Sequence, residues 1–389
     1  MVFWHFLFWI SLCLMAYSYV LYPLLLSLLY AIKTKNESTI QDQSYPIVSV
    51  LMAAHNEEKV ILQKIQSLQK LNYPKDKIEI LIGSDNSSDR TNEIIMACAK
   101  IDARIRLFAF NSRNGKIKII NQLVDHSKGD LLLLTDANVM LQTDCLLHLS
   151  QPFSNPKIGL VDSQMTHVVA SNSGISGGEK KYISREVNTK FHEGKVLGTM
   201  MGPFGGCFLI RKSLFVKVPS NFLVDDFFLN MVVLEQGFQC VNEPKAIVIE
   251  DVSTKFSEEF RRKIRIGSGN FQNLFHFWRL AIFPSKIAFS FISHKIIRWF
   301  GFFFLVGIMV SSIKLLSVAP IYFYSVWLEL FLIVLTILDY VMLLLVPKSS
   351  SPVRFLTHFS GMNLALFIGL LRYVKGIKSS VWEPTQRFQ

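Results

Sequence analysis

The sequence predicts an α/β domain with a doubly wound, mostly parallel sheet, flanked by transmembrane helices. Three observations lead to this fold class. The leucine run 131–134 is typical of a short strand buried on both faces of a sheet. Strand-like and helix-like segments alternate from residue 46 onward. Apolar residues concentrate before residue 33 and after residue 286, as in a membrane protein with a soluble insert.

Composition narrows the class of function. Half of the 389 residues are hydrophobic, 32 residues are Phe, and the formal net charge is +12. No aromatic-and-basic recognition module or zinc-ligand cluster occurs in the sequence, so we expect no nucleic-acid partner. Lys and Arg beside apolar spans instead indicate contact with anionic membrane lipid. The five cysteines form no CxxC pair, which is typical of reduced thiols.

The first 35 residues predict a transmembrane anchor. Residues 1–32 are almost wholly apolar, too long a run for a signal-peptide core, and no small-residue cleavage site follows them. Lys33 and Lys35 come next, so the carboxyl end of this helix should face the cytoplasm of an integral plasma or inner membrane protein. A polar linker over 36–45 leads to a cytoplasmic domain that we predict over 46–275.

Two acids of this domain follow predicted strands. The predicted strands cover 47–52, 78–83, 105–110 and 131–134, and the predicted helices run through residue 71, around 91–100 and over 114–126. Asp85 and Asp136 each stand two positions beyond the last residue of the second and the fourth predicted strand. Carboxyl ends of parallel strands meet at one edge of a sheet, where α/β proteins bind ligands. The pattern therefore indicates a nucleotide site.

Asp136 and Asn138 are candidate metal ligands. A carboxylate with an oxygen ligand two residues later can hold a hard divalent cation against a diphosphate. The amide of Asn138 is a neutral, weaker ligand, so Asp136 must supply most of the protein's charge on the metal. The alternative is a polar turn in which either residue caps the next helix.

Seven segments resemble, in chain order, the motifs of family-2 glycosyltransferases. They are an opening strand with an Asn-Glu turn (48–58), a second nucleotide-contacting turn (83–91), a Gly-Lys turn (113–116), an Asp-x-Asp place (135–138), a glycine-rich acceptor-side segment (202–211), an acidic pair (224–227) and a basic signature (261–272). The resemblance covers about 46–275 and implies a Rossmann-like GT-A fold. It extends distantly to cellulose, hyaluronan and poly-N-acetylglucosamine synthases.

The resemblance also implies a donor site. Asn56 and Glu57 would shape a pocket in which Asp85 holds the uracil or ribose edge of a nucleoside diphosphate sugar. Mg²⁺ or Mn²⁺ on Asp136, with help from Lys116, would stabilise the diphosphate as it leaves.

On the acceptor side, Asp226 matches the family's catalytic base, and Asp225 is either part of the site or a cap of the next helix. Arg265 matches the arginine of the family's Gln-x-x-Arg-Trp signature. Arg262 replaces its glutamine, and Ile266 replaces its tryptophan. The two arginines can hold the leaving diphosphate or form a positive interfacial helix. Loss of the tryptophan favours a non-processive enzyme.

The C-terminal part predicts an interfacial segment over 276–295, transmembrane helices within 296–372 and a basic tail over 373–389. The expected spans are 296–316, 321–346 and 353–371. Three spans would put the tail outside, whereas its basic residues favour the cytoplasm, so one stretch is expected to be re-entrant or interfacial. Glu329 and Asp339 should face protein.

These features predict an inverting glycosyltransferase that moves a sugar, expected to come from a UDP-sugar, to a lipid-linked or glycan acceptor at the cytoplasmic membrane face. A processive polysaccharide synthase is the alternative within the enzyme class. A catalytically inactive membrane scaffold is the alternative outside it, and the three acids at residues 85, 136 and 226 argue against it. A transporter is disfavoured because the spans are few and unrepeated.

Overall fold

A computed structural model describes residues 1–33, 45–167, 177–250, 256–346 and 353–377. The predicted linker up to residue 44 and the basic tail from residue 378 lie outside these residues, as does Lys35. Contacts within the chain divide it into two units. The sheet unit comprises the described residues within 33–168 and 190–253, and the helical unit those within 1–32, 169–189 and 254–376.

One eight-stranded sheet organises the sheet unit. Its strands are β1 (Val48–Ala54), β2 (Ile78–Asp85), β3 (Ile105–Phe110), β4 (Leu131–Thr135), β5 (Val139–Leu141), β6 (Ile158–His167), β7 (Cys207–Arg211) and β8 (Gln239–Glu250). Their order in the sheet is β3-β2-β1-β4-β7-β6-β8-β5.

The helices fall into both units. They are α1 (Val2–Ala16), α2 (Tyr22–Lys33), α3 (Ile61–Gln69), α4 (Thr91–Ile101), α5 (Lys116–His126), α6 (Cys145–Ser150), α7 (Gly177–Leu197), α8 (Asp225–Glu235), α9 (Phe256–His276), α10 (Trp278–Ile282), α11 (Lys286–Ser290), α12 (Ile297–Trp299), α13 (Gly301–Lys314), α14 (Pro320–Leu345) and α15 (Arg354–Val374). A π-helical turn joins α1 to α2.

The first four strands of the central sheet are parallel, as predicted. β1 pairs with both β2 and β4, and β2 pairs with β3. The second half is mixed, because β7 is antiparallel to β4 and to β6. The four leucines of β4 are buried, since this strand lies between β1 and β7 with layers on both faces. The carboxyl ends of β1, β2 and β4 therefore share one edge.

Several predicted boundaries differ from the structure. Strands β1 and β2 each end two residues later than predicted, at Ala54 and Asp85. The helix expected from residue 114 begins at Lys116, because Gly115 has a φ of +82°, a left-handed conformation that a helix cannot contain. The late strand expected from residue 245 begins at residue 239, because β6 provides a parallel partner along its length.

The helical unit contains three helices long and apolar enough to cross a membrane among the described residues: Val2–Lys33, Pro320–Leu345 and Arg354–Val374. They agree with three of the predicted spans. The span expected over 296–316 differs, since Lys286–Trp299 and Gly301–Lys314 meet at an angle of 61°. Glycine at the break lowers helix propensity, which favours a bend there.

The prediction that Asp339 faces protein is confirmed, whereas the contact of Glu329 lies on its own helix. Asp339 is buried and forms an ion pair of 3.0 Å with Arg354, and the hydroxyl of Thr357 donates a hydrogen bond (2.5 Å) to the same carboxylate. Glu329 is half-buried, 3.4 Å from the hydroxyl of Ser325 one turn earlier. Both contacts satisfy carboxyl groups that lipid would not solvate.

Candidate active site

Strand β4 ends at Asp136, whose backbone is tied to the glycine segment 202–206. The N–H of Asp136 donates to the carbonyl of Gly206 (3.0 Å), and the hydroxyl of Thr135 donates to the same carbonyl (3.1 Å). The side chain of Asp136 is 35% exposed. The main chain is therefore fixed while the carboxylate remains accessible to a ligand.

Lys116 bridges two acids. Its ammonium lies 2.8 Å from Oδ1 of Asp136 and 3.7 Å from Oδ2 of Asp225. Burial lowers the pKa of Lys116, but the neighbouring carboxylates of Asp136 and Asp225 outweigh burial, so the pKa is raised above its usual value. Lys116 therefore stays cationic at physiological pH.

Helix α8 begins with Asp225 and Asp226, which occupy its first turn, where the helix dipole stabilises negative charge. Asp226 lies against Gly205, since a β-carbon at Gly205 would come within 2.5 Å of Oδ2 of Asp226. Burial and the charge of Asp225 raise the pKa of Asp226 to about 6. A carboxylate in this range combines ionisation at neutral pH with useful basicity.

Asp85 is buried beneath the turn that precedes Lys116. Its carboxylate accepts hydrogen bonds from the backbone N–H of Asn114 (2.6 Å) and Gly115 (3.0 Å), and Nε of Arg113 lies 3.3 Å away. In this structure Asp85 therefore supports the Gly-Lys turn. Its contact with a uracil or ribose stays a prediction.

Asn56 and Glu57 form the turn after β1 and are bonded to the turn after β2. Oδ1 of Asn56 accepts from the N–H of Ser88 (2.9 Å), and the N–H of Glu57 donates to the hydroxyl of Thr91 (2.9 Å). Asn56 adopts a φ of +52°, in the left-handed region that Asn tolerates better than most residues. The two predicted nucleotide-contacting turns are thus held together at the sheet edge.

The side-chain oxygen atoms near Asp136 are of the kind that bind a hard divalent cation. Nδ2 of Asn138 donates to Oε1 of Glu250 (3.1 Å), while Oε2 of Glu250 is buried and has no hydrogen-bond partner among the described residues. A buried carboxylate oxygen without a partner is costly, and a cation would satisfy it. Within those residues, no three His, Cys, Asp or Glu side chains cluster to hold a metal. Phosphate and water oxygens would therefore complete the coordination, as is usual for Mg²⁺.

Comparison with known proteins shows similarity to glycosyltransferases. The sequence profile described as Glycosyl transferase family 2 matches residues 49–218. The probable glycosyltransferase YdaM of Bacillus subtilis is 28% identical over 239 residues, covering 58% of this chain and 55% of YdaM. The poly-beta-1,6-N-acetyl-D-glucosamine synthase of Staphylococcus epidermidis is 23% identical over 354 residues, covering 87% of this chain and 79% of the synthase. Residues 49–218, slightly less than half of the chain, therefore resemble glycosyltransferase family 2.

Two further relatives define how far the family likeness extends. The beta-monoglucosyldiacylglycerol synthase of Trichormus variabilis is 31% identical over 146 residues, which is 37% of this chain and 31% of the synthase. The mannosyltransferase PcManGT from Pyrobaculum calidifontis, solved with GDP-Man and Mn²⁺, aligns with a TM-score of 0.67 over 95% of this chain and 99% of PcManGT, at 17% identity. This confirms the predicted GT-A fold. The chain spans about half the length of YdaM and about a third of the T. variabilis synthase.

The family-2 motifs divide between the two units. The sheet unit brings the Gly-Lys turn, the Asp-x-Asn turn and the acidic pair together, as described above. Arg262 and Arg265 lie on α9 of the helical unit, where Arg262 is exposed and Arg265 is half-buried. Ile266 is half-buried on the same helix. The contact of both arginines with the diphosphate stays a prediction.

Sequence reasoning missed the ion pair that holds the glycine segment. Oδ2 of Asp162 lies 2.8 Å from the ammonium of Lys190, and both side chains are buried. Oδ1 of Asp162 accepts from the N–H of Phe204 (2.7 Å), and Lys190 also donates to the carbonyl of Gly202 (3.1 Å). The pair therefore fixes the segment that lies against the predicted base.

Removing one partner of this pair should destabilise the fold. We expect Lys190→Met to lower the free energy of unfolding by about 3–5 kcal/mol, because the charge of Asp162 would remain buried without its partner. Denaturation of the purified protein in detergent measures the change. The double variant Asp162→Asn, Lys190→Met should recover much of the loss, since it removes the buried charge. A double variant as unstable as Lys190→Met would contradict the charge argument.

Proposed function

We propose that the chain transfers a sugar, with inversion at the anomeric carbon, from a nucleoside diphosphate sugar to the hydroxyl of a lipid-linked or glycan acceptor. The observation that carries this proposal is Asp226: a carboxylate with a raised pKa, fixed against Gly205 and interacting electrostatically with Lys116 and Asp136. Such a transfer needs a base that takes the proton of the acceptor hydroxyl and a positive charge that stabilises the leaving diphosphate. Asp226 and the nearby Lys116 can supply these.

Asp226 acts as the general base. Its carboxylate takes the proton of the acceptor hydroxyl as the hydroxyl oxygen attacks the anomeric carbon and the bond to the diphosphate breaks. Asp225 raises the proton affinity of Asp226 through its negative charge. Lack of a side chain at Gly205 lets the glycine segment approach the base, so the backbone limits how far Asp226 can move.

Lys116 stabilises the leaving diphosphate with its permanent positive charge. Asp136 and Asn138 would hold Mg²⁺ or Mn²⁺, which supplies further positive charge to the phosphate oxygens when bound. Arg262 and Arg265 are proposed to contact the same diphosphate, and Arg265 matches the arginine of the family signature. Guanidinium groups suit this task because they bind phosphate oxygens in a bidentate manner.

The nucleoside pocket is proposed at the turns after β1 and β2. Asn56 and Glu57 shape it, and Asp85 contributes either a direct contact with the uracil or ribose of a UDP-sugar or, as in this structure, the support of the Gly-Lys turn. The bonds between these turns favour a preformed pocket, which lowers the ordering cost of donor binding.

A processive polysaccharide synthase is the second candidate. The match to the S. epidermidis poly-beta-1,6-N-acetyl-D-glucosamine synthase over 87% of this chain favours it. Ile266 disfavours it, because an isoleucine offers no flat aromatic face on which a sugar of a growing polymer would stack. We favour addition of one or a few sugars. An inactive scaffold is disfavoured because Lys116 lies close to both Asp136 and Asp225, as a working site would require.

The reaction is proposed to occur at the cytoplasmic face of the plasma or inner membrane. Lys33 at the carboxyl end of the first span supports this orientation through the positive-inside rule. If the bent pair Lys286–Trp299 and Gly301–Lys314 is re-entrant, two later spans return the chain to the cytoplasmic side. The basic tail then lies where its charge favours it.

Asp136→Asn should abolish transfer and metal-dependent donor binding without unfolding the protein, because Asp136 supplies most of the protein's negative charge to the cation. Donor affinity is measured with Mn²⁺ or Mg²⁺ and again with chelator, over a panel of nucleotide sugars. Equal affinity of variant and wild type under both conditions would overturn the assigned role.

Asp226→Asn should lower turnover by about a hundredfold or more, the usual scale for a lost general base, while donor binding changes little. Asp225→Asn is the matched control and should have the milder effect, because Asp225 acts on the base only through its charge. The assignment is off by one residue if Asp225→Asn is the crippling change.

The pH profile of kcat/KM should lose activity as pH falls through about 6. A base with a raised pKa is protonated below that pH and cannot accept the acceptor's proton. In Asp225→Asn the fall should move to lower pH, since the charge of Asp225 raises the pKa of Asp226. A fall that moves to higher pH in this variant would exclude Asp226 as the titrating base.

Product length tests single against processive addition. With limiting acceptor and excess donor, we expect purified enzyme to extend most acceptor molecules by one or a few sugars, because Ile266 gives the product no aromatic stacking surface. Products are sized by mass spectrometry. Long polymer formed while most acceptor remains unused would establish the processive alternative.

A further inference from the structure

A fully buried lysine lies behind the turn that contains Asp136. Lys64 belongs to the face of α3 that packs on the sheet, together with Ile61, Ile65 and Leu68, and it has no exposed surface. The other three members of this face are apolar, as the helical period requires. An apolar side chain of similar length would fill the same space, so packing alone does not account for a lysine.

The burial of Lys64 is not compensated by an ion pair. Among the described residues, no carboxylate lies within ion-pairing distance of its ammonium. Burial lowers the pKa of Lys64 to about 8, and electrostatic interactions with Cys207 and then Asp136 oppose this shift. The side chain thus stays mainly protonated at neutral pH, with three N–H donors that need acceptors. A buried charge of this kind is costly unless it is well hydrogen-bonded.

The hydrogen-bond acceptors of Lys64 lie at the two ends of the turn from Thr135 to Val139, which contains Asp136. The ammonium of Lys64 donates to the hydroxyl oxygen of Thr135 (2.7 Å) and to the carbonyl of Val139. Thr135 in turn donates to the carbonyl of Gly206, which also accepts the N–H of Asp136. One cation therefore holds the residue before Asp136 and the residue after Asn138, and continues the network to the glycine segment.

We propose that Lys64 is a positioning residue that fixes the turn from Thr135 to Val139, so that Asp136 and Asn138 present their oxygens to the cation and the diphosphate. This rests on the proposed function, since it concerns the same donor site. Lys64 acts through the turn and does not itself touch substrate. Partners that orient metal ligands typically change metal affinity or activity by about 10–100-fold when they are removed.

The test compares Lys64→Met with Lys70→Met in the purified full chain in detergent. Methionine preserves most of the side-chain volume and removes the donors. Lys70, exposed at the end of the same helix, is the matched control. Mn²⁺ binding is measured by electron paramagnetic resonance in the presence of UDP, and separately of GDP, well below each variant's unfolding temperature. In Lys64→Met we expect the affinity for Mn²⁺ to fall about tenfold or more and the KM for the donor to rise. In Lys70→Met we expect neither quantity to change.

Thr135→Val breaks the hydrogen bond between Lys64 and Thr135 by changing the acceptor. This variant replaces Lys64→Met in the test if Lys64→Met does not fold. It removes the hydroxyl and keeps the shape, so Mn²⁺ binding should weaken in the same direction. Combined with Lys64→Met, it should add little, because both changes break one path. Wild-type Mn²⁺ affinity in folded Lys64→Met, with only a lower unfolding temperature, would overturn the proposal, as would tighter binding.

Asp136→Asn separates failure of this inference from failure of the proposed function. Weak Mn²⁺ binding in Asp136→Asn together with wild-type binding in Lys64→Met would leave the donor site standing and exclude Lys64 as its positioning residue. Unchanged Mn²⁺ binding in Asp136→Asn would instead overturn the proposed cation site itself.

Discussion

The backbone hydrogen bond from Asp136 to Gly206 joins the two halves of the site. It continues the antiparallel ladder between β4 and β7 by one residue beyond the pair of Thr135 and Cys207. The predicted donor-side turn and the predicted acceptor-side glycine segment are therefore fixed in register by the pairing of β4 with β7. Strand pairing is rigid compared with a loop contact, so the distance between the proposed cation and the proposed base depends on this ladder.

Asp136 follows β4, Asp225 begins α8 and Asp162 lies within β6, and each of these acids has a lysine beside it. Lys116 lies between Asp136 and Asp225, and Lys190 pairs with Asp162. Lys64 instead donates a hydrogen bond to Thr135, at the start of the turn that contains Asp136. Buried polar networks of this kind stabilise one arrangement when every member is satisfied. The arrangement that they select is a preorganised site, in which dipoles and charges need little reorientation during reaction.

Local patterns in the sequence were sufficient for the first half of this architecture. The four leucines of β4 determine a structure within a few residues, and the ordered motifs pointed to the GT-A fold. The start of the helix at Lys116 was missed by two residues, because the sequence does not show that Gly115 adopts a positive φ. Asp162, Lys190 and Lys64 could not be assigned from sequence, because each acts on residues 12 or more positions away. The sequence offered two signals for these roles. Asp162 is an acid among the apolar residues of β6, and Lys64 is a lysine on the otherwise apolar face of α3.

The charge balance also gives a physical reason to expect that the proposed donor and the proposed cation bind together. Asp136, Asp225, Asp226 and Glu250 belong to one edge of the sheet unit, and a diphosphate alone would add further negative charge there. Lys116 is already shared between two of these acids. A divalent cation offsets the repulsion between the carboxylates and the diphosphate, because both groups attract it. The affinities of cation and donor are then linked, and each ligand raises the affinity for the other by the same factor.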